Sequence, residues 1–397
     1  MLRGERIVCF APDPWSDIWR NRHQIMSLLA QENRVLYVEP RPYLRTVARQ
    51  MARGQISVGC LFGERLRAVG DGLHVYQPPL YAPLSGQEPV KSLTARLRAH
   101  DLRRAMRRAG VERPLLWLYR PDMDDLPGCC DERLLIYHMV DEYAGYADVS
   151  AARAETVRAR ERRLIARADL VLVSSRALLE HKGGLNPRTY WVPNAVDYPR
   201  FAAAAAARHE PPELAGCPRP RLGYVGAIND KLDTDLLLDV ARAHQQATLV
   251  LVGPVRPATD AMRAGLAALH DQPNVRWVDQ VPVERVPEFV AACDVGLLPY
   301  RRNLWTEHIQ PLKLYEYLAC GLPVVATDIP AVRDEAAVVA IASDAEQYVA
   351  LIAEALRGDS GARRAERQAR AARNTWRQRV AQISELIEAA LGDRARR

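Results

Sequence analysis

The sequence predicts an α/β protein with two Rossmann-like, doubly wound parallel-sheet domains that face each other across a cleft. At 397 residues the chain is too long for one ordinary core and suits two domains. Its 48% hydrophobic and 26% charged residues are the balance of a soluble globular protein. Short apolar runs of strand length alternate with helical stretches along the whole chain, which is typical of parallel sheets covered by helices on both faces.

The first half of the sequence is predicted to form one sheet with its covering helices. Helices are predicted at 18–31, 90–109 and 150–167, with Asp148 or Ser150 as the cap of the third. Buried apolar runs predict parallel strands at 7–11, 35–38, 115–119, 134–138, 170–173 and 190–192. Residues 1–198 are therefore assigned to the first domain.

The second half repeats the pattern after a break at 199–220, where an alanine run and several prolines predict the linker between domains. Residues 221–374 are assigned to the second domain, and a terminal helix at 375–393 is a candidate to pack back on the first. Predicted strands lie at 222–225, 248–252, 275–278, 295–298 and 323–326, and predicted helices at 233–244, 259–270, 283–292 and 311–320. Such sheets bind ligands at the carboxyl ends of their strands, so the predicted site is the cleft.

Charge is distributed unevenly between the halves. Residues 1–200 hold 31 Lys and Arg against 23 Asp and Glu, whereas the chain totals of 55 and 48 leave 24 and 25 for the remainder. The basic half suits an anionic partner, namely nucleic acid, a membrane surface or a phosphorylated acceptor, or else it has solvated arginine-rich helix faces. Nucleic acid is not expected, because no aromatic residues interleave with the basic ones and no known binding motif is present.

Compartment and membrane relation follow from cysteine use and hydropathy. The seven cysteines are odd in number and form no CxxC pair, which argues against a disulfide framework or a cysteine zinc site and favours a reducing compartment. No apolar run approaches the length of a membrane span, and no secretion signal is evident. We expect a cytoplasmic protein. The basic amphipathic stretch at 91–113 adds the hypothesis of peripheral attachment to an anionic inner membrane face, with a soluble domain helix as the alternative.

Several segments of both halves, in order and spacing, carry a resemblance to a known family. The most specific is 311–325, PLKLYEYLACGLPVV, and the supporting segments are 224–228, 249–254, 274–277 and 294–300 in the second half, and 136–143, 168–175 and 192–197 in the first. The chain resembles the family-4 and related family-1 glycosyltransferases of the GT-B fold. This resemblance implies transfer of a sugar from a UDP- or GDP-linked donor to a hydroxyl acceptor, which could be lipid-linked, in polysaccharide, glycolipid or other glycoconjugate synthesis. The nucleotide sugar is then a substrate, so no cofactor is expected.

The helix predicted to start at Pro311 is suited to hold the donor. Its free amides and positive dipole end favour a diphosphate, and Lys313 adds a cation in the first turn. Glu316 lies three residues on, where a carboxylate can accept hydrogen bonds from ribose hydroxyls, as the glutamate of the family does. The alternative is a surface helix with a Lys/Glu pair. Gly226, Lys231 and Gln310 complete the predicted donor set; for Lys231 a plain turn before an Asp233 cap is equally open.

The predicted catalytic residues are His138, Asp141 and His308. His138 and Asp141 end a predicted strand, where the resemblance implies a sugar-contacting histidine, and Asp141 or Glu142 could act as base toward the acceptor hydroxyl. A core histidine and a capping aspartate are the alternatives. Retaining members usually carry a second glutamate eight positions before Glu316, but His308 stands there, which leaves stereochemistry and donor choice open.

Other chemistries fit less well. The acidic run at 122–125 lies between prolines and predicts a turn rather than a manganese site, so no metal requirement for the chemistry is expected. No GxGxxG fingerprint or Walker loop follows a strand, which argues against dinucleotide oxidoreductases and ATPases. Two rivals to glycosyl transfer stay open: a nucleotide-sugar epimerase of the same fold and a non-catalytic relative that binds nucleotide sugar.

Overall fold

The computed structural model describes residues 1–54, 57 and 65–396, and each half of the chain forms its own sheet. The first sheet contains β1 (Arg6–Phe10), β2 (Arg34–Val38), β3 (Leu66–Gly70), β4 (Leu73–Tyr76), β5 (Leu115–Leu118), β6 (Leu134–Met139), β7 (Leu170–Val173) and β8 (Thr189–Trp191). The second contains β9 (Arg221–Val225), β10 (Thr248–Val252), β11 (Val275–Val278), β12 (Val295–Leu298), β13 (Val324–Thr327) and β14 (Ala340–Ala342).

Helices cover both sheets. Those of the first half are α1 (Asn21–Leu29), α2 (Leu44–Ala52), α3 (Val90–Arg108), α4 (Ala151–Arg167) and α5 (Arg176–Lys182). Those that follow are α6 (Tyr198–Ala207), α7 (Thr234–Ala243), α8 (Asp260–His270), α9 (Val286–Ala291), α10 (Leu312–Ala319), α11 (Pro330–Arg333), α12 (Ala345–Gly358), α13 (Gly361–Ala372) and α14 (Trp376–Ala395).

Strand order identifies the topology. The second sheet runs β11-β10-β9-β12-β13-β14 and is parallel throughout. The first runs β3-β4-β2-β1-β5-β6-β7-β8 and is parallel except for the edge pair β3–β4. In both sheets successive strands are added first on one side of the first strand and then on the other, which is the doubly wound arrangement. The predicted fold class is confirmed.

Two of the segments that differ from the sequence prediction are α6 and the hairpin β3–β4. The alanine run at 202–207, within the predicted linker, is helical and belongs to α6, because alanine has the highest helix propensity. Phe201 on this helix packs into the core of the second sheet, beside Leu214 and Leu222. The hairpin β3–β4 was not predicted, because β3 is a largely exposed edge strand without a continuous apolar run.

The C-terminal helix α14 lies on the first sheet although it follows the second. Its buried side chains join the core under β1, β2 and β5, and they are Trp376, Val380, Ile383, Ile387 and Ala390. The chain therefore crosses between the halves twice. The two crossings touch, since Val196 N donates to Asn374 O at 3.0 Å and Trp376 N donates to Val196 O at 3.3 Å.

In the part of the chain that the structure describes, every helix is too short or too polar to cross a bilayer.

Candidate functional site

A large cavity lies between the two sheets, at the carboxyl ends of their central strands. It has a volume of about 860 Å³ and is lined from both halves. From the first half come residues after β1, β5 and β6, and from the second come residues after β9, β10 and β12 together with the start of α10. Strand order reverses at β1/β5 and at β9/β12, so the cleft occupies the switch point of each sheet, where doubly wound folds bind ligands.

Helix α10 directs its first turn into this cleft. Pro311, the predicted first helical position, is the N-cap with extended backbone, so the helix begins one residue later, at Leu312. Lys313 and Glu316 both line the cleft, and Lys313 Nζ lies 4.9 Å from the ring centroid of Tyr224. The helix therefore presents free amides, an ammonium and a carboxylate to the same space.

Gly226, which directly follows β9, makes room for Lys313. Its φ of 141° lies in the region that side chains other than glycine rarely adopt, and a Cβ there would collide with Lys313 Cε and Nζ. The absence of a side chain at Gly226 is what allows the lysine to reach the cleft.

Lys231 reaches the cleft from the loop after β9. Its ammonium lies 5.8 Å from the ring centroid of Tyr300 and 6.0 Å from that of Trp305. The loop is fixed by Asp230, whose carboxylate accepts hydrogen bonds from Ala258 N at 2.6 Å and Thr259 N at 2.9 Å. A second cation therefore stands near Lys313 on a well-anchored turn.

Burial shifts the pKa of Lys231, Lys313 and Glu316 on this side of the cleft. Burial lowers the pKa of Lys231 to about 7, and the charges of Lys313 and Arg20 act in the same direction. Burial also lowers the pKa of Lys313 to about 8, against the opposing effect of Glu316. Burial raises the pKa of Glu316 to about 7, partly offset by Lys313. Each charge is costly without a partner, so an anion beside the lysines and hydroxyl groups beside the glutamate would stabilise the charged forms.

Gln310 lines the cleft immediately before α10. Its carbonyl oxygen accepts a hydrogen bond of 2.5 Å from Asn194 Nδ2 of the first half. This contact ties the loop before α10 to the opposite wall of the cleft.

Asp141 is the predicted catalytic residue that the structure places in the cleft, just beyond β6. Its carboxylate accepts a hydrogen bond of 2.8 Å from Tyr146 Oη, and the Tyr146 ring lies 4.6 Å from that of Trp305. Asp141 is therefore oriented by the wall of the cleft and close to the aromatic side chain beside Lys231.

His138 does not line the cleft. It shares a face of β6 with Leu134 and Ile136 and is 1% exposed, with its ring 5.9 Å from that of Trp117 and 5.1 Å from that of Tyr119. Burial lowers the pKa of His138 to about 3, so the ring is neutral. This position fits the core-histidine alternative better than a catalytic role.

His308 also lies outside the cleft. It is 8% exposed and faces His181 of the first half, with 3.3 Å between His308 Nε2 and His181 Nδ1. The loop turns between His308 and Gln310, so that Ile309 and Gln310 reach the cleft while His308 points to the interface of the two halves.

Sequence reasoning missed the cations and aromatic side chains that follow β1. Trp15, Trp19, Arg20 and Arg22 all line the cleft, and Asp13 forms ion pairs with both arginines. Their position in the sequence could have indicated a role in the cleft, because a polar and aromatic run directly follows a buried strand. The sequence analysis instead predicts a helix from residue 18. The loop also crosses to the second half, where Arg256 makes a bidentate pair with Asp17 at 2.6 and 3.1 Å.

The chain is similar in sequence to known glycosyltransferases. Residues 219–358 match the family model of the Glycosyl transferases group 1. The Bacillus subtilis (strain 168) protein TuaH, named as a glycosyltransferase of teichuronic acid biosynthesis, is 30% identical over 233 residues. The match covers 56% of this chain and 57% of that relative, so the chain spans little more than half the length of the relative it matches.

Solved structures are similar over nearly the whole chain. Sucrose-phosphate synthase from Thermosynechococcus elongatus has a TM-score of 0.71 at 16% identity, covering 98% of this chain and 100% of that one. Anabaena HepE in complex with UDP and glucose has a TM-score of 0.67 at 14% identity, and the match covers 97% of this chain and 99% of that one. The trehalose-phosphate synthase of Burkholderia vietnamiensis has a TM-score of 0.63 at 12% identity, and the match covers 98% of this chain and 99% of that one. These likenesses show the fold, which is GT-B.

Proposed function

We propose that this chain, a GT-B protein whose residues 219–358 match the family model of the Glycosyl transferases group 1, moves a sugar from a nucleoside diphosphate sugar to a hydroxyl acceptor. The observation that carries the proposal is the grouping of Lys231, Lys313 and Glu316 at the start of α10, inside the interdomain cleft. Only four lysines occur in the whole chain, against 51 arginines, and two of them are in this group.

The three groups suit the two halves of a nucleoside diphosphate. The diphosphate would lie against the α10 amides and the two ammonium groups, which neutralise the charge that develops on it as the glycosidic bond breaks. The ribose hydroxyls would donate hydrogen bonds to Glu316. Gly226 and Gln310 complete the donor set by shaping the space around Lys313 and the entry to α10. No step in this scheme calls for a metal ion.

On the acceptor side we assign Asp141 the role of the base that takes the acceptor hydroxyl proton. Its carboxylate lines the cleft opposite α10 and is held by Tyr146. Arg20, Arg22 and Arg120 line the same part of the cleft, which favours an acceptor that carries negative charge.

The relatives support a choice of substrate class. TuaH is named for teichuronic acid biosynthesis, and HepE was solved with UDP and glucose. We therefore propose a UDP-linked hexose as donor, with a GDP-linked hexose as the second choice, and a polysaccharide or glycolipid precursor as acceptor.

The deciding experiment compares donor turnover with and without acceptor. The full-length protein is incubated with UDP- and GDP-hexoses, alone and with lipid-linked or soluble anionic saccharides, and the release of nucleoside diphosphate is measured. A glycosyltransferase releases it in an acceptor-dependent way. Release of a rearranged sugar without acceptor would instead indicate an epimerase, and tight binding without turnover of any donor would indicate a non-catalytic relative.

We also propose that helices α2 and α3 dock the first domain on an anionic membrane. Six of the eleven most exposed large apolar side chains among the described residues lie there: Tyr43, Leu44, Met51, Val90, Leu93 and Leu97. Both helices contact one loop, since Leu44 N donates to Leu84 O and Arg98 donates to Ala82 O. Arg45, Arg49, Lys91 and Arg96 are exposed beside these apolar residues.

Vesicle flotation tests this docking. The protein should float with vesicles containing anionic lipid at low salt and be released at high salt, because each surface cation contributes about 1 kcal/mol. Leu93→Ser with Leu97→Ser should abolish flotation, whereas Leu185→Ser, an equally exposed leucine elsewhere, should leave it unchanged. Flotation that does not depend on Leu93 and Leu97 would refute the assignment.

A further inference from the structure

Three side chains of the kinds that bind metals meet at the interface of the two domains, outside the cleft. Glu142 and His181 belong to the first domain and His308 to the second, and their ligand atoms all lie within 4.8 Å of one another. His181 Nδ1 is 3.3 Å from His308 Nε2 and 3.7 Å from Glu142 Oε2. Ligand atoms around a tetrahedral zinc ion with bonds of ~2.0–2.1 Å lie about 3.3 Å apart, so small side-chain rotations would complete the geometry.

The orientation of His308 is the one that metal ligation requires. Its Nδ1 lies 2.9 Å from the carbonyl oxygen of Leu304, which fixes the proton on Nδ1 and leaves the lone pair of Nε2 pointing at His181. Metal-binding histidines are commonly held in this way, with the second ring nitrogen donating to a backbone carbonyl. The His308 backbone is held as well, since its carbonyl oxygen accepts a hydrogen bond of 2.7 Å from Ser175 Oγ.

One oxygen of Glu142 accepts no hydrogen bond although it lies against an ammonium group. The residue is 2% exposed, and its Oε2 lies 2.6 Å from Lys182 Nζ without hydrogen-bond alignment, so it has no hydrogen-bond donor among the described residues. The same ammonium donates to Glu161 Oε2 at 2.6 Å. Two buried carboxylates thus share one lysine, and a cation at Glu142 would balance the remaining negative charge while Lys182 stays on Glu161.

We propose that Glu142, His181 and His308 bind a divalent transition-metal ion, zinc in the first instance, which bridges the two domains. One carboxylate and two imidazoles suit zinc, and the exposed side of His181 leaves room for a water as fourth ligand. The ion takes no part in the sugar chemistry. It holds the loop that leads through Gln310 into α10, and it accounts for His308 at the position where the resemblance led us to expect a glutamate.

Titration of the full-length chain with Co²⁺, in the absence of nucleotide, tests the site. One equivalent should bind with the visible absorption bands of a tetrahedral ion, and Zn²⁺ should displace it. His181→Asn, His308→Asn and Glu142→Gln should each weaken binding about a hundredfold or more, because a lost ligand costs at least as much as a lost supporting contact. His100→Asn, an exposed helix histidine on α3, is the matched control and should bind as the parent does.

Circular dichroism of each variant shows that loss of binding is not loss of fold. The proposal is overturned if the folded parent binds neither ion at micromolar concentration, or if the three variants bind as tightly as the parent. Hydrogen exchange tests the bridge itself: Zn²⁺ should slow exchange at residues 302–310 in the parent and not in His181→Asn. Binding without that protection would refute the link between domains.

Discussion

Raising the pH from 7 to 8.5 should weaken nucleoside diphosphate binding steeply, because the donor cations are lysines with lowered pKa values. Lys231 titrates near 7 and Lys313 near 8 without a donor. A diphosphate favours their charged forms, so binding takes up protons above pH 7 and affinity falls as the pH rises. An arginine in either place would stay charged throughout this range and would show no such dependence.

The size of the effect follows from the fractions charged. If both lysines must be protonated, the product of their charged fractions falls about 60-fold between pH 7 and 8.5. Ionisation of Glu316, whose pKa is about 7, offsets this by about twofold over the same interval. The parent should therefore lose about 30-fold in affinity, and Lys231→Gln, which retains only the lysine with the higher pKa, should lose about twofold.

Isothermal titration calorimetry with UDP at pH 7.0, 7.5, 8.0 and 8.5 measures this directly, and buffers of different ionisation enthalpy count the protons taken up. Lys91→Gln, an exposed lysine on α3, serves as control and should follow the parent. An affinity that is constant across the interval, or equal slopes for parent and Lys231→Gln, would refute the placing of the diphosphate on these lysines.

Three further predictions concern single residues of the site. Glu316→Gln should bind nucleoside diphosphate about tenfold or more weakly in calorimetry, since each charge-assisted hydrogen bond to ribose is worth ~1.5–3 kcal/mol, and parental affinity would contradict its role. Asp141→Asn should lower kcat by ~10²–10⁴ with donor affinity retained. His138→Ala should instead lower the melting temperature and leave kcat per folded molecule unchanged. Steady-state kinetics and thermal unfolding of both variants separate these two effects. Gly226→Ala should displace Lys313 and weaken donor binding in the same calorimetric assay, and tight binding by this variant would show that the lysine does not need that space.

The second sheet was the easiest part to predict from sequence. Its inner strands β10 and β12 are buried on both faces and appear as short, largely apolar runs, and β10, β11 and β12 have the predicted bounds. Elements held by tertiary contacts were missed. The edge strand β3 has no buried run, and α6 was hidden by the prolines around its alanines.

Site residues were predictable where local geometry alone determines direction. A residue in the first turn of α10 must lie near the carboxyl ends of the strands, so Lys313 and Glu316 face the cleft. Direction along β6 was not predictable, because a strand that is apolar on both faces does not reveal which face His138 shares. Loops gave the least information: Trp15 and Arg20 enter the cleft through a path that only long-range packing defines.

The paired crossings between the domains have a mechanical consequence. Because the segment at Val196 is hydrogen-bonded to the segment at 374–376, the two halves are joined at one seam rather than by two independent tethers. Opening of the cleft must be a rotation about these hydrogen bonds, because sliding of one half along the other would break them. The ion pair between Asp17 of the first half and Arg256 of the second also joins the two halves, so it must break when the cleft opens about this axis. A chain cut before α14 would therefore lose one side of this hydrogen-bonded contact and the part of the first core that α14 supplies. The two halves would then be joined by a single connection.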